Sequence, residues 1–509
     1  MLPINLYLLL FAGFHFIGST EIPDTQPSKH EFRAVWVATF HNIDWPSAKG
    51  LKANEQQSEF LQLLRGLERN RMNAVVVQVR SNGDALYDSQ YAPWSEYLNG
   101  AQGVAPEPYY DPLRYMVAAT HDRNMEFHAW FNPFRAISHN RFSSVSEDNI
   151  ARQHPEWTYQ YGNTLYLNPG IPAVRDYLTK VVMEVVQKYD VDGIHFDDYF
   201  YPYQTNGEGL NDVEAFERYG SEFGSIHAWR RYNVNAFVQQ VSDSLKKINP
   251  RVKFGISPVG IWRNKQDDPK GSNSDARFTS YDGLYADVRK WLESGWIDYV
   301  APQLYWSTQH PRASYDALAP WWAANTFGKH LYIGHAAFKL KGKKSTHWKN
   351  PEQLPHQLHF NQSYPQIKGS IFYSASSFAG NPHQVEELLQ NDRFRYPALI
   401  PNMPWKDNIP PLSPEVLIAT AKPRRIRLQW EAPKLAKDGE SATYYIVYRF
   451  EGSQAQDLRR ADRIRTITKA QVWLDLKIEA GKSYTYLVTA VDRLHNESRT
   501  CAVAMIESM

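Results

Sequence analysis

The sequence has little cysteine, little net charge and few long apolar runs, and each shortage narrows the class of protein. Cys501 is the only cysteine, so no disulfide can form within the chain and stability must come from the core. The 56 Lys and Arg nearly balance the 54 Asp and Glu, leaving +2, which gives no electrostatic basis for binding nucleic acid. Beyond residue 20, no apolar run is long enough to cross a bilayer. A chain of 509 residues with 43% hydrophobic residues is therefore expected to be globular and to contain more than one domain.

The N-terminus, MLPINLYLLLFAGFHFIGST, is typical of a cleaved export signal. Its apolar stretch over 6–18 has the length of a signal-peptide core, and Gly18, Ser19 and Thr20 are small residues suited to cleavage. No cysteine follows this stretch, so no lipid anchor is expected there. These features predict a signal peptide over 1–20 and an exported protein, periplasmic or extracellular.

Eight β-prone segments alternate with amphipathic stretches between residues 30 and 396. The segments cover residues 32–40, 73–80, 126–134, 191–198, 252–260, 297–306, 330–338 and 369–378. Helical patterns lie between them, as in 174–190, where apolar residues recur at helical spacing. Eight strand–helix units predict an α/β fold, a (β/α)8 TIM barrel with long βα loops.

A proline-rich segment over 397–411 follows the predicted barrel and is expected to form a stiff, extended linker. Beyond it, residues 412–509 contain short alternating runs about ten residues apart, the pattern of a small all-β sandwich. Trp430 and the GKSYTYLVTAVD motif at 481–492 resemble a fibronectin type III module, with Tyr484 at the position of its tyrosine corner. Such a module is expected to space or dock domains, and no chemistry is assigned to it.

The motif GIHFDDYFYP, over 193–202, ends the fourth predicted strand in two adjacent aspartates. Because side chains alternate along a strand, His195, Asp197 and Tyr199 share one face, while Asp198 stands where the alternation loosens. Two close carboxylates cannot both ionise cheaply, so one keeps a proton near neutral pH. A proton donor beside a charged carboxylate is what glycosidic bond cleavage requires. The alternative is that one aspartate caps a helix and the other forms a loop salt bridge.

Active-site residues of a TIM barrel lie at the carboxyl ends of the strands and in the loops that follow. Asp84, just beyond the second strand, is the best further carboxylate, although a turn-forming role suits it equally well. Polar and aromatic residues at other strand ends are predicted to bind substrate, since rings cover the apolar faces of sugars. The predicted catalytic residues are Asp197, Asp198 and Asp84, and the predicted substrate-binding residues are Arg80, His128, Trp130, Asn132, Arg135, Tyr199, Trp262, Arg263, Gln303, Tyr305, Trp306 and Tyr373.

A second chemical interpretation uses His195, Asp197 and Asp198 as ligands of Zn²⁺ or Mn²⁺, with His128 as a further imidazole. No HxH or HxxxH pattern accompanies them, so a metal-dependent hydrolase remains the minor alternative and no cofactor is expected.

Several motifs in order resemble the glycosyl-hydrolase-like 10 family over about residues 30 to 400. They include RAVWVATF at 33–40, YDPLRYMVAATHDRNMEFHAWFNPFRA at 110–136, DGIHFDDYFYP at 192–202 and GISPVGIWRN at 255–264. The resemblance implies a (β/α)8 barrel and an envelope location. It also implies action on bacterial cell-wall glycan, because the family includes an enzyme that cuts peptidoglycan strands stripped of their stem peptides. The aspartates of the family motif correspond to Asp197 and Asp198.

The arginines beyond the strand ends suit an anionic glycan, such as one that bears the lactyl carboxylate of N-acetylmuramic acid. Alternatively, Arg80, Arg135 and Arg263 are loop arginines that pair with nearby aspartates. If Asp84 is not the second carboxylate, the substrate's own acetamide can attack, with one aspartate orienting it, Tyr305 hydrogen-bonding it and the other aspartate acting as acid.

The sequence thus predicts an exported glycoside hydrolase that acts on peptidoglycan strands of N-acetylated sugars. Its expected partner is this polysaccharide, with no nucleic acid, integral membrane span or obligate protein partner. The alternative from another class is a glycan-binding protein without activity.

Overall fold

The computed structural model describes residues 28–139, 142–204, 209–341, 347–378, 380–452 and 456–509. Its strands are β1 Phe32–Val37, β2 Ala74–Arg80, β3 Glu126–Phe131, β4 Arg135–Ile137, β5 Thr158–Tyr161, β6 Thr164–Leu167, β7 Gly193–Phe196, β8 Lys253–Ile256, β9 Tyr299–Val300, β10 His330–His335, β11 Ile367–Tyr373, β12 Leu417–Lys422, β13 Arg425–Trp430, β14 Tyr444–Glu451, β15 Ile464–Thr468, β16 Val472–Asp475, β17 Ser483–Val491 and β18 Ala502–Glu507. The predicted signal peptide lies outside the described residues.

Eight parallel strands close into a barrel in the order β1-β11-β10-β9-β8-β7-β3-β2. These are the eight strands that the sequence predicts, so the (β/α)8 fold is confirmed. Except for β2, which ends at Arg80 as predicted, the observed strands end earlier than predicted. Pro133, Pro258 and Pro302 follow β3, β8 and β9 within two residues, and proline cannot donate to a ladder hydrogen bond. The residues that the sequence places at strand ends therefore begin the loops.

The α-helices are α1 Ala53–Arg69, α2 Glu96–Asn99, α3 Pro112–His121, α4 Ile150–Gln153, α5 Pro172–Lys188, α6 Val213–Tyr219, α7 Ile226–Ile248, α8 Ser280–Gly283, α9 Val288–Glu293, α10 Tyr315–Ala324, α11 Gln353–Asn361 and α12 Val385–Asn391. Short 3₁₀ helices span Phe40–Asn42, Phe142–Ser144, Pro155–Trp157, Ala337–Lys341, His347–Lys349, Ala375–Phe378, Pro382–Gln384 and Ala461–Arg463. Helix α1 shows why they form: Phe60, Leu64 and Leu67 recur on one face and are buried against the barrel. No helix in the described ranges is long and apolar enough to span a membrane.

A small antiparallel sheet that the sequence pattern does not predict follows the third barrel strand. Its strands pair in the order β4-β6-β5, with Arg135 opposite Tyr166. Because β4 starts four residues after β3 ends, this sheet lies at the carboxyl end of the barrel. It holds Arg135 in a strand rather than in a loose loop.

The C-terminal region is a sandwich of two antiparallel sheets, β12-β13-β16 and β15-β14-β17-β18. Three strands packed on four in this order form the fibronectin type III arrangement, as predicted. The backbone N–H of Glu479 donates to the hydroxyl of Tyr484 at 2.9 Å, which is the tyrosine corner. This sandwich, residues 412–509, is called the C-terminal module below.

The C-terminal module packs against the floor of the barrel, where the strands begin. In the proline-rich segment, Ile400 and Met403 are buried in the barrel cluster, and Leu399 is buried in a cluster of the C-terminal module. Arg493 of the module forms ion pairs with Asp190 and Asp192. The first part of the proline-rich segment is thus a packed interface rather than a free spacer.

Candidate active site

The aspartate pair directly follows β7 at the carboxyl end of the barrel. Phe196, the last residue of the strand, points outward and stacks on Phe237 of α7 at 5.6 Å between ring centroids. Alternation then directs His195 and Asp197 toward the barrel axis. Asp198 lies beyond the ladder and also faces the cavity. The outward packing of Phe196 is the condition on which the predicted orientation depends, and the structure meets it.

A cavity of about 200 Å³ opens above the barrel at this point. Seven of the predicted site residues line it: Trp130, Asp197, Asp198, Tyr199, Gln303, Tyr305 and Tyr373. Four further residues complete its wall: Trp36, Tyr203, Ser257 and Phe338. Two carboxylates surrounded by aromatic rings and polar groups give the chemical character of a sugar-binding pocket.

The carboxylate of Asp197 is 5% exposed and held by two donors. The Asn132 amide donates to its Oδ2, and the backbone N–H of Tyr199 donates to Oδ1 at 3.2 Å. Burial and the neighbouring Asp198 raise the pKa of Asp197 from 3.8 to about 7, against the opposing charge of Arg135. A carboxyl group with this pKa can hold a proton near neutral pH and release it during a reaction.

The carboxylate of Asp198 is 3% exposed and accepts a hydrogen bond from the Tyr203 hydroxyl. Burial raises its pKa, and hydrogen bonds from Tyr203 and Gln303 partly offset this rise. Burial also raises the pKa of Tyr305 well above its usual value, so its hydroxyl stays protonated in the cavity wall. The pocket therefore combines a carboxyl pair with fixed hydroxyl and amide donors.

The amide of Asn132 is oriented by a chain of hydrogen bonds that leaves no choice of direction. The backbone N–H groups of Thr39 and Phe40 donate to Gln78 Oε1 at 3.0 and 2.9 Å. The Gln78 amide nitrogen must then face outward, and it donates to Asn132 Oδ1. Asn132 consequently presents its own amide nitrogen to Asp197. Asn132 thus positions the aspartate rather than lining the cavity.

Arg135, predicted to bind substrate, lies beside the aspartate pair but outside the cavity wall, and it is sandwiched between two rings. Its guanidinium carbon is 4.7 Å from the ring centroid of Phe40 and 4.6 Å from that of Tyr199. Its charge lowers the pKa values of Asp197 and Asp198, but the effect of burial is larger, so both pKa values remain raised. Arg135 is therefore a cation that favours the ionised forms of the two aspartates.

His195 is enclosed below the aspartates, and protein groups engage both of its ring nitrogens. Nδ1 is 3.0 Å from the Tyr299 hydroxyl, and Nε2 is 2.9 Å from the Ser257 hydroxyl and 3.2 Å from the Trp36 indole nitrogen. Burial holds its pKa well below the usual range, so the ring is neutral. These contacts leave no ring nitrogen for a metal ion and disfavour the metal-ligand interpretation.

Arg80 and Asp84 are placed away from the cavity. The ladder shifts register at Val79, so Gln78 pairs with Trp130 while Arg80 pairs with Phe131, whose ring packs outward. The bulge turns Arg80 out of the barrel, where it donates to the backbone oxygen of Asn82 at 2.6 Å. Asp84 is buried beneath the same loop, which raises its pKa, and its carboxylate is not part of the cavity wall.

Four other predicted residues also lie outside the cavity wall. His128 is enclosed deeper in the barrel, 2.8 Å from the Tyr299 hydroxyl. Trp262 is buried and stacks on Trp321, 6.2 Å between ring centroids. Arg263 pairs with Asp282 and Asp268, as a loop arginine does. Trp306 packs near His310 at 6.4 Å, and its backbone oxygen accepts a hydrogen bond from Gln357.

Four cavity residues were not predicted from the sequence, and they differ in whether a sequence pattern indicates them. Trp36 lies on the inward face of β1 in RAVWVATF, so alternation along that strand points to it. Tyr203 follows the predicted strand 191–198 by five residues, and Ser257 lies within the predicted strand 252–260, directly after the observed end of β8. Phe338 lies in the 3₁₀ helix that follows β10 and is 41% exposed, and no local pattern distinguishes it.

The raised pKa of Asp197 predicts a pH-dependent cost to stability. A carboxyl whose pKa is about 7 when folded and 3.8 when unfolded stabilises the fold fully below pH 3.8, and this contribution is lost as pH rises through 7. We expect Asp197→Asn to resist urea more than the parent at pH 8, by up to about 4 kcal/mol, with little difference near pH 4. Asp176→Asn, on the exposed side of α5, serves as the control. An equal difference at both pH values would contradict the assignment.

Arg135 predicts a shift in the pH dependence of activity. If the protonated form of Asp197 is the active one, Arg135→Met should move the alkaline limb of the rate profile upward by up to about one pH unit, because the charge of Arg135 lowers the pKa of Asp197. Arg135→Lys keeps the charge and should leave the limb close to that of the parent. The measurement is kcat/KM against pH for the three proteins. A limb that moves down in Arg135→Met would show that the guanidinium does not act on this carboxyl.

The chain is similar to known proteins over much of its length. The family described as Glycosyl hydrolase-like 10 matches residues 31–350. The chain belongs to this family. It is 45% identical to the glycosyl hydrolase YngK of Bacillus subtilis over 95% of both chains. It is 38% identical to the glycosyl hydrolase DigH of Escherichia coli K12, over 70% of this chain and 85% of that protein.

Family membership makes the chain a glycoside hydrolase with a carbohydrate substrate. Among solved structures, the glycoside hydrolase domain of PgaB (BpsB) from Bordetella bronchiseptica superimposes with a TM-score of 0.46 at 12% identity, covering 71% of this chain and 98% of that domain. The barrel assignment rests on the strand pairing itself.

Proposed function

We propose that this glycosyl hydrolase-like 10 protein is an exported enzyme that cleaves peptidoglycan glycan strands, with Asp197 and Asp198 as its catalytic carboxylates. The observation that carries the proposal is the buried aspartate pair in an aromatic cavity, with the pKa of Asp197 raised to about 7. Export is supported by the apolar N-terminal stretch.

The position of the pair favours a substrate-assisted mechanism. Asp197 and Asp198 are neighbours in sequence on one wall of the cavity, so they do not flank a sugar ring from opposite sides as the carboxylates of ordinary glycosidases do. The acetamide oxygen of an N-acetylated sugar can then act as the nucleophile. The attack closes an oxazolinium ring on the sugar, the glycosidic bond breaks, and water later reopens the ring.

We assign the general acid to Asp197, because its pKa lets it hold a proton at neutral pH and give it to the leaving oxygen. Asp198 orients the acetamide N–H, and Tyr305 donates a hydrogen bond to the acetamide oxygen in the oxazolinium-forming step. Trp36 and Trp130 supply ring faces for the sugar. The cavity is smaller than the roughly 300–1,000 Å³ that encloses a drug-sized ligand, which suits one ring of a longer chain.

An anionic strand is supported by the charge of Arg135 beside the pair. A guanidinium held by Phe40 and Tyr199 can pair with the lactyl carboxylate of N-acetylmuramic acid. Stem peptides amidate that carboxylate, so peptide-free strands offer the charge and peptide-bearing strands do not. This chemistry distinguishes the proposed substrate from intact peptidoglycan and from uncharged chitin.

The test compares three substrates with the full-length mature protein: peptide-free strands, peptide-bearing strands and chitin oligosaccharides. Product masses measure the cleavage. Peptide-free strands should be shortened fastest, and Arg135→Met should reduce that preference while Arg135→Lys keeps it. Cleavage of chitin at an equal rate would overturn the proposed substrate. Binding of strands without any cleavage would favour the glycan-binding alternative.

A further inference from the structure

A column of buried polar side chains runs along the barrel axis from the C-terminal module to the cavity. It begins at His495 of the module, which is 8% exposed and reaches Glu126 at the start of β3. His495 Nε2 is 2.6 Å from Glu126 Oε1. The column continues through His128, Tyr299 and His195. Each member is buried and contacts the next directly, with no intervening group.

Glu126 can only accept hydrogen bonds, and it has three donors. Lys253 and His495 donate to its Oε1, and His128 Nε2 lies 3.0 Å from its Oε2. Burial alone would raise the pKa of this carboxyl, but Lys253 and the imidazoles of His495 and His128 hold it well below the usual range. Because the carboxylate is ionised, each imidazole must turn a protonated nitrogen toward it.

When His128 carries a single proton, this requirement fixes the direction of every following bond. His128 carries its proton on Nε2, so its Nδ1 accepts the Tyr299 hydroxyl at 2.8 Å. The Tyr299 oxygen must then accept from the next ring, and His195 Nδ1 lies 3.0 Å away. His195 is therefore protonated on Nδ1 and bare on Nε2. One carboxylate at the floor thus determines the tautomer of a histidine beside the active site.

The upper end of the column gives the same answer independently. The indole nitrogen of Trp36 is a donor only, and it lies 3.2 Å from His195 Nε2. The Ser257 hydroxyl lies 2.9 Å from the same nitrogen. The Trp36 contact requires a bare Nε2, as the contacts at the floor do, and the Ser257 hydroxyl can donate to the same nitrogen. Trp36 and Ser257 line the cavity, so this tautomer sets the orientation of two groups in its wall.

His495 is itself held by the module. The Tyr444 hydroxyl lies 2.9 Å from His495 Nδ1, and burial lowers the pKa of His495, so the ring is neutral and donates through Nε2. A cavity of about 190 Å³ at this interface is lined by Glu126, Tyr444 and His495. Loss of the His495 ring would therefore enlarge this cavity beside Glu126 and allow water to replace the lost hydrogen bond to the carboxylate.

We propose that the C-terminal module helps to shape the cavity of the catalytic barrel, with His495 as a positioning residue that closes the barrel floor. Through Glu126, His128 and Tyr299, His495 fixes the tautomer of His195. That tautomer holds Trp36 and Ser257 in the cavity wall. The module is then more than a spacer. It acts on the cavity from the opposite end of the barrel, through a chain of hydrogen bonds that all donate toward Glu126.

The direct test is nitrogen NMR of full-length protein labelled at histidine, which distinguishes protonated from bare ring nitrogens. His195 is assigned by the loss of its signals in His195→Asn. The parent should show Nδ1 protonated and Nε2 bare. His495→Ala and Tyr299→Phe should each give a mixture of tautomers at His195. His495→Gln, which restores a donor near Nε2, should keep the single parental tautomer.

The matched control is Arg493→Ala, which removes ion pairs of the same interface with Asp190 and Asp192 without touching the column. It should keep the parental tautomer. A parental His195 protonated on Nε2 would overturn the proposal. So would a His495→Ala protein that keeps the single parental tautomer. Tyr299→Phe breaks the chain inside the barrel, so it tests the proposal even if His495→Ala does not fold.

The measurement of activity rests on the proposed function, while the measurement of the His195 tautomer does not. His495→Ala and Tyr299→Phe should lower kcat/KM for peptide-free strands by about threefold to tenfold, and His495→Gln should recover most of the loss. If no protein in the series cuts glycan, the proposed function fails and the tautomers still test the column. If rates fall in His495→Ala and Arg493→Ala alike, the module acts only through docking and the column proposal is overturned.

Discussion

An Asp197→Asn variant is expected to cleave peptide-free glycan strands about a thousandfold more slowly than the parent. The reason is the proton that Asp197 carries: its pKa of about 7 allows it to protonate the leaving sugar oxygen at neutral pH, and an amide cannot do this. Asparagine keeps the size of the side chain, so the cavity keeps its shape. The measurement is the rate at which new reducing ends appear.

A second measurement distinguishes loss of the general acid from a structural defect in the Asp197→Asn variant. A dinitrophenyl leaving group departs without needing a proton. Asp197→Asn should therefore cleave a dinitrophenyl glycoside of N-acetylglucosamine at a rate within about tenfold of the parent. Asp198→Asn should be slow on both substrates, because orientation of the acetamide is needed whatever the leaving group. Asp176→Asn is the control. If Asp197→Asn is equally slow on both substrates, Asp197 is not the acid.

Strands that have lost their N-acetyl groups are expected to be cleaved at least about a thousandfold more slowly than acetylated strands. The acetamide oxygen is the nucleophile in the proposed mechanism, and an attacking group built into the substrate supplies a large part of the rate through its position. Asp198, bonded to Tyr203, is placed to hold the acetamide in the attacking orientation. The measurement compares initial rates on the same strands before and after chemical deacetylation.

Chemical re-acetylation of the same strands provides the control, since it should restore the rate and remove any effect of the added ammonium charges. The first product seen by proton NMR should also keep the anomeric configuration of the substrate, because the ring closure and its opening invert the centre twice. Rapid cleavage of deacetylated strands would contradict the mechanism. A product of inverted configuration would contradict it independently.

The barrel was predictable because its strands are continuous apolar runs between helical patterns. The aspartate pair was predictable for a related reason: alternation along β7 requires Asp197 to face inward once Phe196 packs against α7. The residue at which each strand ends was harder to predict from alternation. Residues such as Gln303 and Tyr305 reach the cavity from a loop, since Pro302 ends the ladder early.

Two residues show what a one-dimensional pattern cannot provide. Alternation along β2 breaks at Val79, so Gln78 faces inward and Arg80 faces outward, and only the pairing of the neighbouring strand reveals the shift. His128 does face inward, as alternation predicts, but alternation does not give height along the barrel axis. One step below Trp130, it lies in the polar column and not in the cavity.

The contact between the module and the barrel floor was also beyond local patterns. His495 and Glu126 are separated by 369 positions in the chain, and neither has a neighbouring motif that suggests its partner. A buried carboxylate at the start of a barrel strand is unusual enough to require a partner. The sequence contains that signal, but it does not contain the identity of the partner.

The most direct test of the central claim is mass analysis of peptide-free glycan strands after incubation with the parent and with an Asp197→Asn, Asp198→Asn double variant. We predict that the parent shortens the strands, and that the double variant retains them in a pull-down without shortening them. Cleavage by the double variant at the parental rate would place the chemistry outside the aspartate pair. Intact strands with both proteins would show that this cavity does not hydrolyse peptidoglycan glycan.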